Sequence, residues 1–425
     1  MPAPPTPRRR DGHPAAPACP RRRRRPDSPN PLNTPPNPPP LFFASDRSPG
    51  SADGAIVEAK RARGPEPCTG RASRLQAPIV KLTGHADAVT GLAWSPCGEH
   101  LASCSADRQI LLWRPFGIGE EEAAARKEGL RAAAAEAGAE PGGGGPPVDE
   151  DEDPTAPDCR AALRGHRSGV TDVCWSGCGG YVFSAGADGT TRAWDAATGA
   201  SVRTMRHPGK TVVNAVTAAP RGDPLVATGA DDGATRIWDS RASGRRPALE
   251  LRPTDERAGR APVLSAAFLG CGTLVAAGSL CGMIRIWDAR RAEEWVSLTG
   301  HADAVTGLAV SPDGRTLLSN SQDATLRAWD VRPFAPARRG LRAYRGHAGS
   351  FEQALLRCAW SGDGAWVAGG SADATVHVWD AQTRAPKWRL PGHQGGVGAV
   401  AFHPTDPVIA SGSADKTIFL GELTE

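Results

Sequence analysis

Residues 301–330 read HADAVTGLAVSPDGRTLLSNSQDATLRAWD, and this stretch carries the signals that decide the fold. The segment Val305 to Val310 alternates apolar residues with small or polar ones, which predicts an inner β-strand. Ser311 to Gly314 forms a turn with Pro and Gly at their preferred positions. Thr316 to Ser319 and Thr325 to Trp329 predict two further strands, separated by a tight turn at Asp323. The stretch therefore predicts three short antiparallel strands.

The spacing of His, Asp and Trp in this stretch recurs along the chain. Asp323 precedes Trp329 by six residues, and His301, which follows a Gly, precedes Asp323 by 22. The six-residue spacing is repeated in Asp107/Trp113, Asp188/Trp194, Asp232/Trp238, Asp373/Trp379 and, with Gly in place of Trp, Asp415/Gly421. The 22-residue spacing is repeated from His85, His166 and His393. A unit of 42 to 50 residues with this pattern predicts one blade of a β-propeller.

Seven such units fit between residues 78 and 423, within a domain that we place at residues 75–425. The seventh unit stops after a predicted third strand at Thr417 to Leu420, whereas Pro78 to Leu82 precedes the first unit and has no blade of its own. We therefore predict an all-β, seven-bladed propeller in which this N-terminal strand completes the last blade. Closure of this kind leaves no sheet edge exposed.

Two units depart from the pattern. The fourth has Cys281 at the Asp position and no His 22 residues earlier, so we expect no polar network there. In the third unit, His207 lacks the preceding Gly and lies 25 residues before Asp232. We expect both blades to form nevertheless, held by apolar strands such as Leu274 to Ala277 and Met283 to Trp287.

Charge and proline mark the N-terminal segment. Residues 1–74 carry 14 Lys and Arg against 6 Asp and Glu, and 16 of the first 50 residues are Pro. This composition predicts a disordered tail. Its basic clusters suit nuclear import or contact with RNA, although a solubilising tail or a plastid transit peptide are alternatives. The candidate import residues are Arg21, Arg22, Arg23, Arg24, Arg25, Lys60, Arg61 and Arg63.

A second unusual segment, residues 117–158, separates the third and fourth strands predicted for blade one. It carries 12 acidic residues against 3 basic ones and is rich in Ala, Glu and Gly. Its first part has high helix propensity, and a Gly-rich stretch and an acidic run follow. We expect a flexible insertion that leaves the propeller as a loop; a docking helix is the alternative.

The sequence offers no catalytic or metal-binding pattern. It contains no nucleophile elbow, no zinc-binding His-Glu-x-x-His and no paired Cys-x-x-Cys, so we expect no enzymatic activity and no metal or cofactor. Pro208 to Thr211 resembles the end of a phosphate-binding loop, but Thr204 stands where that loop needs Gly. No signal peptide is visible, and no apolar run approaches the roughly 20 residues that cross a bilayer. Scattered cysteines favour a reducing compartment.

The repeat resembles that of the WD-repeat family, in which His, Asp and Trp of one blade form a hydrogen-bonded network between strands and loops. Such a network is needed because an unpaired buried carboxylate is costly. The residues that the resemblance assigns to these networks are His85, Asp107, Trp113, His166, Asp188, Trp194, Asp232, Trp238, His301, Asp323, Trp329, His347, Asp373, Trp379, His393 and Asp415.

Three strand ends share a further motif, Trp-Asp-x-Arg, ending at Arg241, Arg290 and Arg332. This motif resembles the box by which WD-repeat substrate receptors dock onto the adaptor of a cullin-RING ubiquitin ligase. The alternative is that each Arg pairs with a neighbouring acid at the rim of its blade.

Segments outside the repeat resemble one branch of WD-repeat proteins, the forty-kilodalton proteins of the U5 small nuclear ribonucleoprotein. These segments include Arg332 to Pro336, Phe351-Glu352 with Leu355 to Ser361, and the Gly-Glu-Leu ending at Leu423. The resemblance covers about residues 74 to 425 apart from the insert. It implies a nuclear spliceosome component without activity of its own, which takes part in pre-mRNA splicing.

The same resemblance implies partners. They are the large central scaffold protein of the U5 particle and other proteins of that particle, while contact with RNA is expected to be indirect, and no membrane or small-molecule substrate is implied. Apolar and Arg side chains in loops make natural interface anchors. The candidate partner-binding residues are Arg332, Pro333, Phe334, Phe351, Glu352 and Leu355. The alternative for Phe334 and Phe351 is that they seal the cores of blades five and six.

Overall fold

The computed structural model describes residues 56–58, 73–75, 77–117, 158–220, 224–242, 246–253, 261–336, 339–349 and 355–423, with the backbone alone given for residues 56–58 and 158. Most of residues 1–74 and the core of the insert, residues 118–157, lie outside these ranges. The predictions of a disordered tail, of an import signal and of a flexible insert therefore fall outside the described residues. Within the described residues, no helix is long and apolar enough to cross a membrane.

The strands of the repeats form seven antiparallel sheets, one for each repeat, as the sequence predicts. Blades one and two contain β3 (Val89–Trp94), β4 (Leu101–Ser105), β5 (Gln109–Arg114), β6 (Asp158–Arg164), β7 (Val170–Trp175), β8 (Tyr181–Gly186), β9 (Thr190–Asp195) and β10 (Ser201–Arg206). A short 3₁₀ helix, Pro208–Lys210, leads on to blade three. Blades three and four contain β11 (Val213–Ala218), β12 (Leu225–Ala230), β13 (Thr235–Asp239), β14 (Leu249–Leu251), β15 (Val263–Phe268), β16 (Leu274–Ser279), β17 (Ile284–Asp288) and β18 (Glu293–Leu298).

The remaining strands complete the ring. Blades five, six and seven contain β19 (Val305–Val310), β20 (Thr316–Ser321), β21 (Thr325–Asp330), β22 (Gly340–Arg345), β23 (Cys358–Trp360), β24 (Trp366–Gly369), β25 (Val376–Asp380), β26 (Pro386–Leu390), β27 (Val397–Phe402), β28 (Val408–Ser413) and β29 (Thr417–Glu422). The first strand of each blade contacts the first strand of the next, and β27 contacts β3. The first strands therefore surround the axis of a closed seven-bladed propeller.

The ring closes through the N-terminal strand, and this prediction is confirmed. β2 (Ile79–Thr83) pairs antiparallel with β29, from Ile79 opposite Gly421 to Thr83 opposite Thr417. A further strand, β1 (Ile56–Glu58), pairs parallel with the outer side of β2. These three residues lie within the segment 1–74 and extend blade seven to five strands.

Apolar side chains fill the space between neighbouring blades. The six strand-end tryptophans are each at most 5% exposed, including Trp287 of the divergent blade four. One cluster joins blades seven and one through residues such as Val80, Leu82, Trp113 and Ile418. Burial of a large apolar side chain contributes about 1.5–3 kcal/mol. This packing explains why blade four forms although it lacks the usual Asp.

Candidate functional site

Blade five joins its His, Asp and Trp through a fourth residue, Ser319. His301 Nδ1 donates to Asp323 Oδ2 at 2.9 Å, and Ser319 Oγ lies 2.7 Å from His301 Nε2. Trp329 Nε1 donates to the same Ser319 oxygen at 2.8 Å. Because a carboxylate only accepts hydrogen bonds, Nδ1 of the histidine carries a proton. A chain of hydrogen bonds thus runs from the indole through the hydroxyl and the imidazole to the carboxylate.

The same arrangement recurs in three other blades with the 22-residue spacing. The His-to-Asp distances are 2.9, 3.1 and 3.0 Å in His85–Asp107, His166–Asp188 and His393–Asp415. The serine was missed in the sequence, although it has its own signal 18 residues after the His, at Ser103, Ser184 and Ser411. In blade seven, which lacks the Trp, the ring of Phe419 packs edge-on against His393, with the centroids 4.6 Å apart.

The Asp323 carboxylate also holds the neighbouring loop. It accepts hydrogen bonds from the backbone N–H groups of Ala302 and Thr325 and from the Thr325 hydroxyl, at 3.1, 2.9 and 2.5 Å. Burial alone would raise the pKa of Asp323, but the hydrogen bonds from His301, Thr325 and Ala302 outweigh it and hold that pKa well below its usual range. The carboxylate is therefore ionised and fixes the loop before β19 against the turn before β21.

Blade three uses a different network. Asp232 is bound by Arg236, whose Nη2 also lies 3.3 Å from Glu250, while Arg252 donates to Glu250 at 2.7 Å and to Asp232 at 3.0 Å. No hydrogen bond joins His207 to Asp232 directly; its Nε2 lies 3.2 Å from Thr191 of blade two, and its Nδ1 lies 3.4 Å from Arg236 Nη1. The irregular spacing seen in the sequence therefore marks the replacement of the histidine by two arginines.

Blade six contradicts the assignment of His347 to a pair with Asp373. His347 Nε2 donates to Asn320 Oδ1 of blade five at 3.0 Å, and Asp373 instead accepts from His377 Nε2 at 3.0 Å. Trp379 donates to the carbonyl of Arg345 at 3.2 Å. The physical reason is the spacing, because His347 lies 26 residues before Asp373 rather than 22 and reaches the neighbouring blade.

Blade four has no counterpart of the His–Asp pair among its described residues. Cys281 is exposed, and its sulfur lies 3.0 Å from Ser279 Oγ. Ala277 pairs with Arg285 across the sheet, as Ser319 pairs with Arg327 in blade five, so it occupies the position of the missing serine. Trp287 therefore has no serine hydroxyl to bind at this position.

Two buried histidines should make the stability of the protein depend on pH. Burial and the nearby Arg236 charge lower the pKa of His207 to about 3, and burial and the His377 charge lower the pKa of His347 to about 4. Both are therefore neutral in the folded state near pH 5, whereas in the unfolded chain they take up protons below about pH 6.5. The unfolded state thus binds more protons between about pH 6.5 and 4, and stability falls as the pH falls.

Each of these histidines should make the free energy of unfolding about 2 kcal/mol lower at pH 5 than at pH 7.5. We expect the variants His207→Asn and His347→Asn to lose less stability between the two pH values than the parent protein does. Guanidinium unfolding at both pH values measures this difference. Equal pH dependence in the parent and both variants would show that these side chains are protonated in the folded state.

The central channel contains a residue whose role the sequence did not reveal. The inner strands of six blades have bulges at Thr90, Thr171, Asn214, Leu264, Thr306 and Gly398. Directly before β23, blade six has Arg357. Its guanidinium donates to the carbonyls of Asn214, Thr306 and Leu264 at 2.8, 3.2 and 3.3 Å. One side chain from blade six thus bonds to the inner strands of blades three, four and five.

Asp172 of blade two balances the charge of Arg357. Its Oδ2 lies 3.5 Å from Arg357 Nη2, and it accepts the backbone N–H of Val216 at 3.0 Å. Burial raises the pKa of Asp172, and the Arg357 charge and the backbone donors counteract that rise. The backbone N–H of Arg357 also donates to Gly398 of blade seven at 2.8 Å. Arg357 of blade six therefore links the inner strands of blades two, three, four, five and seven.

The candidate partner-binding residues are only partly described. Phe334 is fully exposed, which overturns the alternative that it seals the core of blade five. Arg332 and Pro333 beside it are also exposed, and Leu355 is half-buried. Phe351 and Glu352 lie outside the described residues, so Phe351 can still be either a partner-binding residue or part of the core of blade six. The loop after β21 therefore presents an aromatic ring to solvent next to a basic side chain.

The Trp-Asp-x-Arg ends do not share one geometry. The Arg332 side chain binds Asp330 of its own motif, with Nη2 2.6 Å from Oδ2. The backbone N–H of the Arg donates to the motif Asp in all three motifs, at 2.9, 2.8 and 3.0 Å for Arg241, Arg290 and Arg332. The Arg332 side chain therefore pairs with a neighbouring acid, which is the alternative to adaptor docking that the sequence left open. Among the described residues, no group of three His, Cys, Asp or Glu side chains could hold a metal ion.

The ring of seven blades and the His–Ser–Asp networks define a WD-repeat propeller. The family model described as "WD domain, G-beta repeat" matches residues 76–114, 157–195, 199–239, 254–288, 293–330, 339–380 and 384–420, one match for each blade.

Relatives that match most of the chain identify one family among the WD-repeat proteins. The chain is 35% identical to the human U5 small nuclear ribonucleoprotein 40 kDa protein over 390 residues. This match covers 90% of this chain and 93% of the human protein. Identity to the Dictyostelium discoideum protein of the same name is 33%, covering 84% and 87% of the two chains. Identity to pre-mRNA-splicing factor cwf17 of Schizosaccharomyces pombe is 35%, covering 83% and 90%. The chain belongs to the family of U5 small nuclear ribonucleoprotein 40 kDa proteins.

Proposed function

We propose that this protein is a non-catalytic scaffold subunit of the U5 particle that acts in the nucleus in pre-mRNA splicing. The observation that carries the proposal is the similarity to the U5 40 kDa proteins and to a splicing factor across more than four-fifths of the chain. The described side chains support a scaffold role, because the repeated His and Asp residues form hydrogen bonds that stabilise their own blades. The basic clusters of the tail would supply the nuclear import signal.

We further propose that the protein binds the large central scaffold protein of the particle through the loop that carries Phe334. Phe334 is fully exposed and therefore available for contact, and aromatic and Arg side chains dominate the energetics of many interfaces. The ion pair with Asp330 fixes Arg332 beside Phe334, so less conformational entropy is lost when a partner binds. The loop therefore has the features of an interface anchor.

The variant Phe334→Ala tests this proposal. Loss of an aromatic anchor at an interface typically costs 2 kcal/mol or more, so we expect about 30-fold weaker retention of the scaffold protein. The measurement is the amount of that protein recovered with the tagged chain, and with it the amount of U5 RNA. Val202→Ala is the matched control, because Val202 is an apolar side chain, 59% exposed, on blade two.

Both variants should keep the melting temperature of the parent, since neither side chain is buried. Undiminished recovery of the scaffold protein with Phe334→Ala would refute this binding site. Recovery of neither the scaffold protein nor U5 RNA with the unmodified chain would refute the splicing role itself.

A further inference from the structure

A basic cleft of about 390 Å³ lies on blade two, beside β9, β10 and the 3₁₀ helix that follows them. Its lining includes the cationic side chains of Arg167, Arg192, Arg206 and Lys210 and a single carboxylate, Asp188. A volume of this size falls within the range of ligand sites in proteins. Four cations facing one cleft would repel one another in the absence of an anion.

The only carboxylate of this lining is already engaged. Asp188 accepts hydrogen bonds from His166 at 3.1 Å, from the backbone of Arg167 at 2.9 Å and from the Thr190 hydroxyl at 2.7 Å. No described carboxylate forms an ion pair with the side chains of the four cations. The guanidinium of Arg192 lies over the Trp194 ring, 5.8 Å from its centroid, and its Nε is buried with no hydrogen-bond partner among the described residues. Within the part of the chain that the structure describes, the four cations of the cleft are therefore balanced by no carboxylate other than Asp188.

Blade three shows how the same positions are neutralised elsewhere in this chain. Arg236 stands opposite Glu250 on the neighbouring strand. Glu250 and Asp232 together bind both Arg236 and Arg252. Two arginines and two carboxylates thus form a closed, internally balanced cluster.

Blade two keeps the arginines and lacks the second acid. Arg192 stands opposite Thr204, so Thr204 occupies the position of Glu250. Arg206 stands opposite Thr190 at the end of the same strand pair, close to where Arg252 lies in blade three. The anion that blade three supplies from its own chain is therefore missing in blade two.

We propose that this cleft binds a phosphorylated serine or threonine of a partner protein. A phosphate monoester carries a charge of about −1.5 to −2 near pH 7 and three acceptor oxygens, which suits several Arg and Lys donors in one place. Recognition by an Arg cluster is a general mode for phosphorylated peptides. Single-stranded RNA fits less well, because its binding surfaces combine a basic track with exposed aromatic rings. The residues that line the cleft include no Phe, Tyr or Trp.

The substitution Thr204→Glu tests the proposal by supplying the internal acid that blade three already has. The probe is a fluorescein-labelled mixture of short peptides with a central phosphoserine and random flanking residues, together with its unphosphorylated counterpart. We expect the parent protein to bind the phosphorylated mixture alone, as measured by fluorescence anisotropy. Thr204→Glu should weaken that binding by about tenfold or more, because the carboxylate competes for the same donors.

Ala343→Glu is the matched control. Ala343 stands opposite Arg327 in blade five, as Thr204 stands opposite Arg192, and it is exposed. The substitution Ala343→Glu adds the same charge at the equivalent position of another blade and should change the affinity for the phosphorylated peptides by no more than about twofold. The double variant Arg206→Ala/Lys210→Ala removes two exposed cations from the cleft, so it should fold normally and weaken binding of the phosphorylated mixture.

Three results would overturn the proposal: equal binding of phosphorylated and unphosphorylated peptides, no binding of either, or equal effects of Thr204→Glu and Ala343→Glu. An oligouridine RNA is measured in parallel. If the RNA alone binds and Thr204→Glu alone weakens it, the cleft is a nucleic-acid site and the phosphopeptide proposal is wrong. Melting temperatures of all variants confirm that the losses do not come from unfolding.

Discussion

Replacing Arg357 with alanine should lower the free energy of unfolding by about 3 kcal/mol, because it removes the ion-pair partner of the half-buried Asp172 and a charged donor shared by three backbone carbonyls. Asp172 would lose its ion-pair partner, and the carbonyls of Asn214, Thr306 and Leu264 would lose their donor. The inner strands of blades two to five would also lose their common link to blade six. Guanidinium unfolding at pH 7.5 measures the loss.

Two further variants separate the charge effect from a general effect of losing an arginine. Arg291→Ala is the control, since Arg291 is exposed, and it should change stability by less than about 0.5 kcal/mol. In the double variant Arg357→Met/Asp172→Asn, no charge remains unpaired, so the loss should be smaller than for Arg357→Met alone. A loss from Arg357→Ala no larger than that from Arg291→Ala would contradict the role assigned to Arg357.

The second large effect concerns the blade networks. Asp323→Ala should cost about 2–3 kcal/mol, because His301, Ala302 and Thr325 would all lose a buried acceptor. Cys281→Ala alters the equivalent position of blade four, where the side chain is exposed, and should cost less than about 1 kcal/mol. Thermal unfolding of the two variants compares the positions directly. Similar melting temperatures would refute the account of the network.

Much of the fold follows from the sequence because each blade is specified locally. The turn residues and the alternation of apolar residues lie within each repeat, and the constant His-to-Asp distance along the chain reflects the constant geometry of one blade. The closing strand could be predicted as well, since the seventh repeat lacks a fourth strand of its own. β1 could not be predicted, because three residues, Ile56–Glu58, within a basic and Pro-rich segment carry no turn or alternation signal.

Several of the contacts that the sequence did not predict lie between blades. His347 bonds to Asn320 of the preceding blade, and Arg357 donates to the carbonyl of Asn214, 143 positions earlier in the chain. Such contacts depend on how the blades are arranged around the ring, which the pattern within one repeat does not specify. The exposure of Phe334 is likewise a property of the folded loop, since an aromatic residue after a strand is equally compatible with a buried position.

Purification of the tagged, full-length protein from its own cells under gentle conditions tests the central claim most directly. The RNA that accompanies the protein is sequenced, and the proteins are identified by mass spectrometry. The proposed function predicts U5 small nuclear RNA together with the large scaffold protein of the particle. Recovery of a cullin-RING ligase adaptor without any small nuclear RNA would contradict it and direct attention to the Trp-Asp-x-Arg strand ends.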